Sequence, residues 1–129
     1  MGRLQGKFAV IVGAGQQPGA SIGNGRATAL RFAEEGATCL LVDLEADRAA
    51  ETRAAMPEPR GAEVHAADVT DETACAGVIA AAVVRFGRID ILHNNIGASS
   101  GDRETAELPV ESWDRIMNLN LKSMFLLCK

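Results

Sequence analysis

Tyrosine is missing from all 129 residues, and one tryptophan with four phenylalanines supplies the only aromatic surface. Without a phenol, one common proton-transfer group is absent. Cysteine is scarce and odd in number. Cys39, Cys75 and Cys128 lack the spacing of metal ligands or of a disulfide framework, and their apolar surroundings predict small buried side chains. No stretch approaches eighteen apolar residues, so a membrane-spanning helix is not expected. Basic clusters are absent and the formal charge is −4, which argues against nucleic-acid and anionic-membrane partners. The first six residues form no apolar leader, and Gly6 breaks the myristoylation pattern, so the cytoplasm is the expected compartment. Such a length is about one domain, residues 1–129.

Glycine is plentiful and unevenly placed. Gly13, Gly15, Gly19, Gly23 and Gly25 follow the continuous apolar run Phe8–Val12, which reads as a strand buried on both faces. After them Gly25 to Gly36 reads as a helix closed by a glycine. Glycines at a strand-to-helix turn let backbone approach a ligand, and the helix start offers N–H groups and a positive dipole end to a phosphate. A mobile surface loop would show the same glycines. Asp43 tips the balance: it ends a second apolar strand, Thr38–Val42, and a carboxylate there accepts hydrogen bonds from both hydroxyls of an adenosine ribose. The bland alternative is an N-cap for a helix starting near Leu44. An acid at this point repels a 2′-phosphate, which favours NAD over NADP; Arg3 and Lys7 lie before the first strand, and no basic residue obviously takes the acid's place.

The alternation continues down the chain. Leu44–Met56 reads as a helix, Ala62–Ala67 as a strand, and a helix capped by Thr70 or Asp71 carries an apolar stripe of Val78, Ile79, Ala82, Val83 and Phe86 up to Gly87. A fourth strand, Ile89–His93, leads into Asn94-Asn95-Ile96-Gly97. A polar loop follows, then a last helix opened by Pro109 and carrying Trp113, Ile116, Leu119, Asn120, Met124 and Leu127. Strands alternating with helices predict an α/β fold, a Rossmann-like doubly wound parallel sheet of order 3-2-1-4 whose ligand crevice lies outside the carboxyl ends of the strands. The last helix has no stop signal and the fourth strand no successor, so the domain is expected to be incomplete at its C-terminus, cut after the helix that follows the fourth strand. His65 and His93 are read as satisfied core residues without chemistry.

Taken together, the glycine turn, Asp43, Asp68-Val69, Asn94-Asn95-Ile96-Gly97 and the segment Trp113–Asn120 resemble the short-chain dehydrogenase/reductase family over essentially the whole chain, about the first half of a typical member. The resemblance implies a nicotinamide-dependent oxidoreductase that interconverts alcohols and carbonyls, a homo-oligomer at full length. By position, Gly13, Gly23 and Gly25 match the family's three glycines. Gly15, Ser21, Ile22 and Asn24 belong to a loop about six residues longer than usual, in which Ser21 or Asn24 can donate to phosphate or simply lie exposed. Val12 replaces a frequent Thr. Asp68 and Val69 match the pair flanking the adenine, with a loop-turn role for Asp68 as the alternative. Asn95 and Gly97 match positions along the cofactor. Asn120 resembles the helix Asn that holds a proton-relay water, with plain exposure as its alternative.

The family's Ser, and its Tyr with a Lys four residues later, are absent. Lys7, Lys122 and Lys129 stand in no such context. The expected function is therefore the N-terminal part of an NAD-dependent oxidoreductase acting on a small alcohol or carbonyl. Alternatives are a non-catalytic NAD- or adenine-nucleotide-binding protein, or an interaction partner of a full-length family member.

Overall fold

The computed structural model describes residues 2–129; Met1 lies outside the described residues. The elements are β1 (Phe8–Val12), α1 (Asn24–Glu34), β2 (Thr38–Asp43), α2 (Ala46–Ala54), β3 (Ala62–Ala66), α3 (Glu72–Phe86), β4 (Ile91–Asn94), α4 (Val110–Met117) and α5 (Ser123–Cys128). Short 3₁₀ turns precede β3 and α4, and a π-helical turn, Asn118–Lys122, joins α4 to α5. The four strands form one parallel sheet in the order β3-β2-β1-β4, as the alternation of strands and helices predicts. Val10 sits level with Leu40 on one side and Leu92 on the other.

The pleat sorts β1 and β2 into two cores. Ala9, Ile11, Cys39 and Leu41 point toward α1 and α2, packing with Ala29 and Ala49. Val10, Val12, Leu40 and Val42 point the other way, against Cys75, Val78 and Ala82 of α3 and Leu126 and Leu127 of α5. All eight strand residues are buried. Burial pushes the Cys39 thiol up to about 11.

Five local expectations need correction. α2 starts at Ala46, not Leu44, because Asp43 Oδ1 accepts the Glu45 N–H at 3.0 Å in a turn that leaves Leu44 exposed. On α3 the buried stripe runs through Cys75, Val78 and Ala82, whereas Val83 is 47% exposed; Asp71 is the cap, accepting the Ala74 N–H at 2.7 Å. The last helix is broken by the π turn: before it Trp113 is exposed, and after it Leu126 joins Leu127 in the core. Cys128 is exposed rather than buried. His93 lies in the sheet, edge-on to Phe32 with centroids 6.3 Å apart, but its Nε2 is buried without a partner among the described residues, so it is not satisfied as expected.

Candidate nucleotide site

The crevice forms where β1, between β2 and β4, sends its chain outward at the point where strand order reverses. Gly13 leaves β1 with φ +78°, a conformation that L side chains rarely adopt, and its N–H and that of Ala14 both donate to Val42 O, at 2.8 and 3.0 Å. A Cβ on Gly13 would collide with the Asn95 carbonyl, and one on Gly25 with the Gly13 carbonyl. The turn, the start of α1 and the end of β4 therefore touch backbone to backbone. Asn95 N–H donates to Val12 O at 3.0 Å, and its Nδ2 lies 2.9 Å from where a Gly25 Cβ would stand.

α1 begins in this contact with no side-chain cap and no acidic residue in its first turn, so its N-terminal dipole is uncompensated. Gly23, its N-cap, has an ordinary extended backbone and open space around it, so nothing within the protein demands a glycine there. Its N–H donates to Gln16 Oε1 at 3.0 Å, which closes the long loop on itself.

Above the turn lies a cavity of about 620 Å³. Gly13, Gly15, Ser21, Gly23, Asn24, Gly25, Asp43, Asn95 and Gly97 all line it, so nine of the positions singled out in the sequence converge on one space. Asp68 and Val69 line an adjoining pocket of about 60 Å³ that shares Asp43, Leu44, Ile96 and Leu119 with the first. Ile22 is not among the lining residues and is 55% exposed. Asn120 lies outside both linings.

Asp43 ends β2 with both carboxylate oxygens toward backbone N–H groups, Oδ2 to Gly15 at 2.9 Å and Oδ1 to Glu45 at 3.0 Å. Each oxygen keeps a further lone pair for a ligand hydroxyl. The Thr70 hydroxyl, at 2.6 Å, and then the Thr70 N–H, at 2.9 Å, hold the Asp68 carboxyl below its ordinary value. That arrangement matches the loop-turn alternative for Asp68, and it leaves Oδ2 open.

Asn120 is a clamp. Its Nδ2 donates to Ala98 O at 2.7 Å and Ile116 O at 2.9 Å, and its Oδ1 accepts the Ala98 N–H at 3.1 Å. Taking the Ile116 carbonyl, four residues back, displaces the backbone from that acceptor and accounts for the π turn. A Cβ on Gly97 would stand 3.1 Å from Asn120 Oδ1, so that glycine makes room for the clamp as well as lining the cavity.

Two residues escaped the sequence reading. Thr52, wholly buried, donates from Oγ1 to Ala14 O at 2.8 Å and ties α2 to the glycine turn. Arg48, one helical turn earlier, lines the cavity. A polar Thr in an otherwise Ala-rich helix was the available signal, but the register of α2 against the turn is a long-range fact.

Comparison with known proteins agrees with this geometry. A 3beta-hydroxysteroid dehydrogenase of Mediterraneibacter gnavus is 33% identical over the whole chain and 45% of its own length. A Burkholderia xenovorans structure described as a short-chain dehydrogenase/reductase superposes with TM-score 0.90 at 41% identity, over 99% of this chain and 48% of that one. The 3-ketoacyl-(acyl-carrier-protein) reductase of Brucella melitensis complexed with NADH gives 0.84 at 32%, over 97% and 48%. This chain spans under half the length of these relatives. The family model described as short chain dehydrogenase matches residues 7–129, and the chain belongs to that family.

Proposed function

We propose that this chain is the cofactor-binding N-terminal part of an NAD-dependent oxidoreductase that interconverts a small alcohol and a carbonyl. The carrying observation is convergence: an uncapped helix start, the Asp43 carboxylate and a glycine cradle that a Cβ would fill share one cavity. These features fit a dinucleotide. In this reading the N–H groups of Asn24 and Gly25 receive the diphosphate, with Ser21 and the rest of the long loop covering it. Asp43 accepts both ribose hydroxyls through the free lone pairs of its oxygens. Asp68 Oδ2 accepts from the adenine amine and the Val69 N–H donates to a ring nitrogen. Asn95 and Gly97 flank the nicotinamide half. When bound, the nicotinamide supplies or takes the hydride.

Asn120 acts as a positioning residue: by holding Ala98 it fixes the loop beside that half of the crevice and supports a proton relay. Proton transfer to the substrate oxygen belongs to a Ser and a Tyr-x-x-x-Lys pair, and none of the 129 residues is a tyrosine. That step is assigned to the remainder of the protein, along with substrate choice, homo-oligomer assembly and a cytoplasmic setting. No helix among the described residues is long and apolar enough to cross a membrane.

The test is nucleotide titration. NAD at millimolar concentration should raise the melting temperature, and Asp43→Ala should weaken NAD by about tenfold, the worth of a charge-assisted hydrogen bond, while NADP loses less. No thermal shift overturns the reading, and equal losses overturn the ribose assignment. Coding sequence downstream of residue 129 should contain the Ser and the Tyr-x-x-x-Lys; its absence removes the oxidoreductase assignment.

A further inference from the structure

The long glycine loop holds one of its side chains in a fixed direction. Gln16 follows Gly15, whose N–H donates to Asp43 Oδ2 at 2.9 Å. The carbonyl of Ala14, one residue earlier, accepts the buried Thr52 hydroxyl at 2.8 Å. Gln16 therefore leaves the chain where the turn is most firmly seated. From there its side chain reaches along the loop, and Oε1 accepts the Gly23 N–H at 3.0 Å. Only an oxygen can face that N–H, so the bond decides which way the carboxamide lies. Nε2 is the end left over, and its two N–H donors have no partner among the described residues. Gln16 lines the cavity together with Gly23, Asn24 and Gly25. The next residue, Gln17, lines the same space but is exposed, and no bond among the described residues orients its amide.

We propose that Gln16 is a diphosphate-binding side chain: its carboxamide, aimed by the Gly23 N–H, donates through Nε2 to phosphate oxygens at the start of α1. This rests on the reading that the crevice takes a dinucleotide. The described lining residues from Gly13 to Gly25 are all uncharged, so a diphosphate there is met by neutral donors and the helix dipole. A carboxamide suits that task. A Glu in its place could accept the Gly23 N–H equally well, but its charge would offset the positive end of α1 and repel the ligand. Neutral Gln closes the loop and leaves the dipole to the anion. Because the bond to Gly23 already restricts the side chain, less rotamer freedom is lost when the phosphate arrives.

Calorimetric titration of NAD and ADP into the wild-type protein, Gln16→Ala and Gln16→Lys tests this, with the Gln16 side-chain amide followed by proton–nitrogen NMR. Gln16→Ala should weaken both ligands by about tenfold, the scale of one hydrogen bond to a charged group. Gln16→Lys gives up the bond to Gly23 but keeps a donor, and should recover most of that loss. In the wild type the Gln16 amide resonances should move as ADP saturates the crevice, which a side chain that merely latched the loop would not require. The inference falls, and the dinucleotide reading survives, if Gln16→Ala stays within about twofold of wild type, if Gln16→Lys loses as much as Gln16→Ala, or if those resonances stay fixed while ADP binds. If neither NAD nor ADP binds the wild type, both fall.

Discussion

β1 and β4 run side by side in the same parallel sheet, yet they meet different surroundings. From Ala9 to Val12 every residue of β1 is buried, with β2 as its other neighbour and helices over both faces. All four residues of β4 are half-buried, its second edge has no strand, and two of its buried polar atoms, His93 Nε2 and Asn94 Oδ1, have no partner among the described residues. The helices nearest that side, α4 and α5, expose Val110, Trp113 and Phe125. The crevice belongs to both regions but is built differently in each. On the β1–β2 side, backbone contacts and the buried Thr52 hydroxyl set its shape, whereas on the β4 side a half-buried carboxamide, Asn120, clamps a loop. Dense packing makes the β1–β2 end of the crevice rigid on its own, while the β4 end depends on a few polar contacts near solvent.

The strongest challenge to that contrast is at the backbone contact itself. Gly25→Ala should abolish measurable NAD binding in calorimetry, since its Cβ would collide with the Gly13 carbonyl and force the turn apart. Retained affinity would mean that the turn is soft. Next comes the core. Ile11→Ala, at a wholly buried position, should cost about 3–4 kcal/mol in urea unfolding, and Ile91→Ala on half-buried β4 should cost about 1–2 kcal/mol. Equal costs would erase the difference between the strands.

The two clamps give a finer comparison. Thr52→Val keeps the shape but strands the buried Ala14 carbonyl, at a cost of about 1–3 kcal/mol in the same assay. Asn120→Ala should cost less stability and act locally, speeding amide hydrogen exchange at Ala98. The smallest expected effect ties the bases of the two strands together. Asp90 accepts the Phe8 N–H at 2.8 Å, and this bond first, then Arg88, holds its carboxyl below the ordinary 3.8. A lowered folded-state value stabilises above the ordinary value and ceases to do so as pH falls through the folded one. Asp90→Asn should therefore flatten the acid limb of the stability profile below about pH 4, followed by urea midpoints.

Reading by pattern worked where one period and one covering face applied. β1 and β2 are continuous apolar runs and lie where the pattern puts them, and the Asp43 position follows directly from the end of β2. It slipped where a side chain intervened in the backbone ladder. Asp43 delays α2 through its bond to Glu45, and Asn120 inserts a π turn that shifts the phase of the last helix. Neither event changes hydrophobic period enough to be seen in advance. The exposure of Cys128 and Val83 has the same root, since composition says that a residue is apolar but not which elements are present to cover it.

The residues alone decided the alternation of strands and helices, the sheet order that goes with it, and the acid and glycines set at the carboxyl ends of the strands, because these follow from local periodicity and turn chemistry. Folding decided the rest: that Gly25 meets Gly13, that Thr52 grips Ala14, and that Arg48 stands beside Asp43. Those pairs are separated by 12, 38 and 5 residues in the chain. The first exists because α1 starts against the turn that follows β1 and the second because α2 packs over that turn, juxtapositions that no short window of sequence encodes.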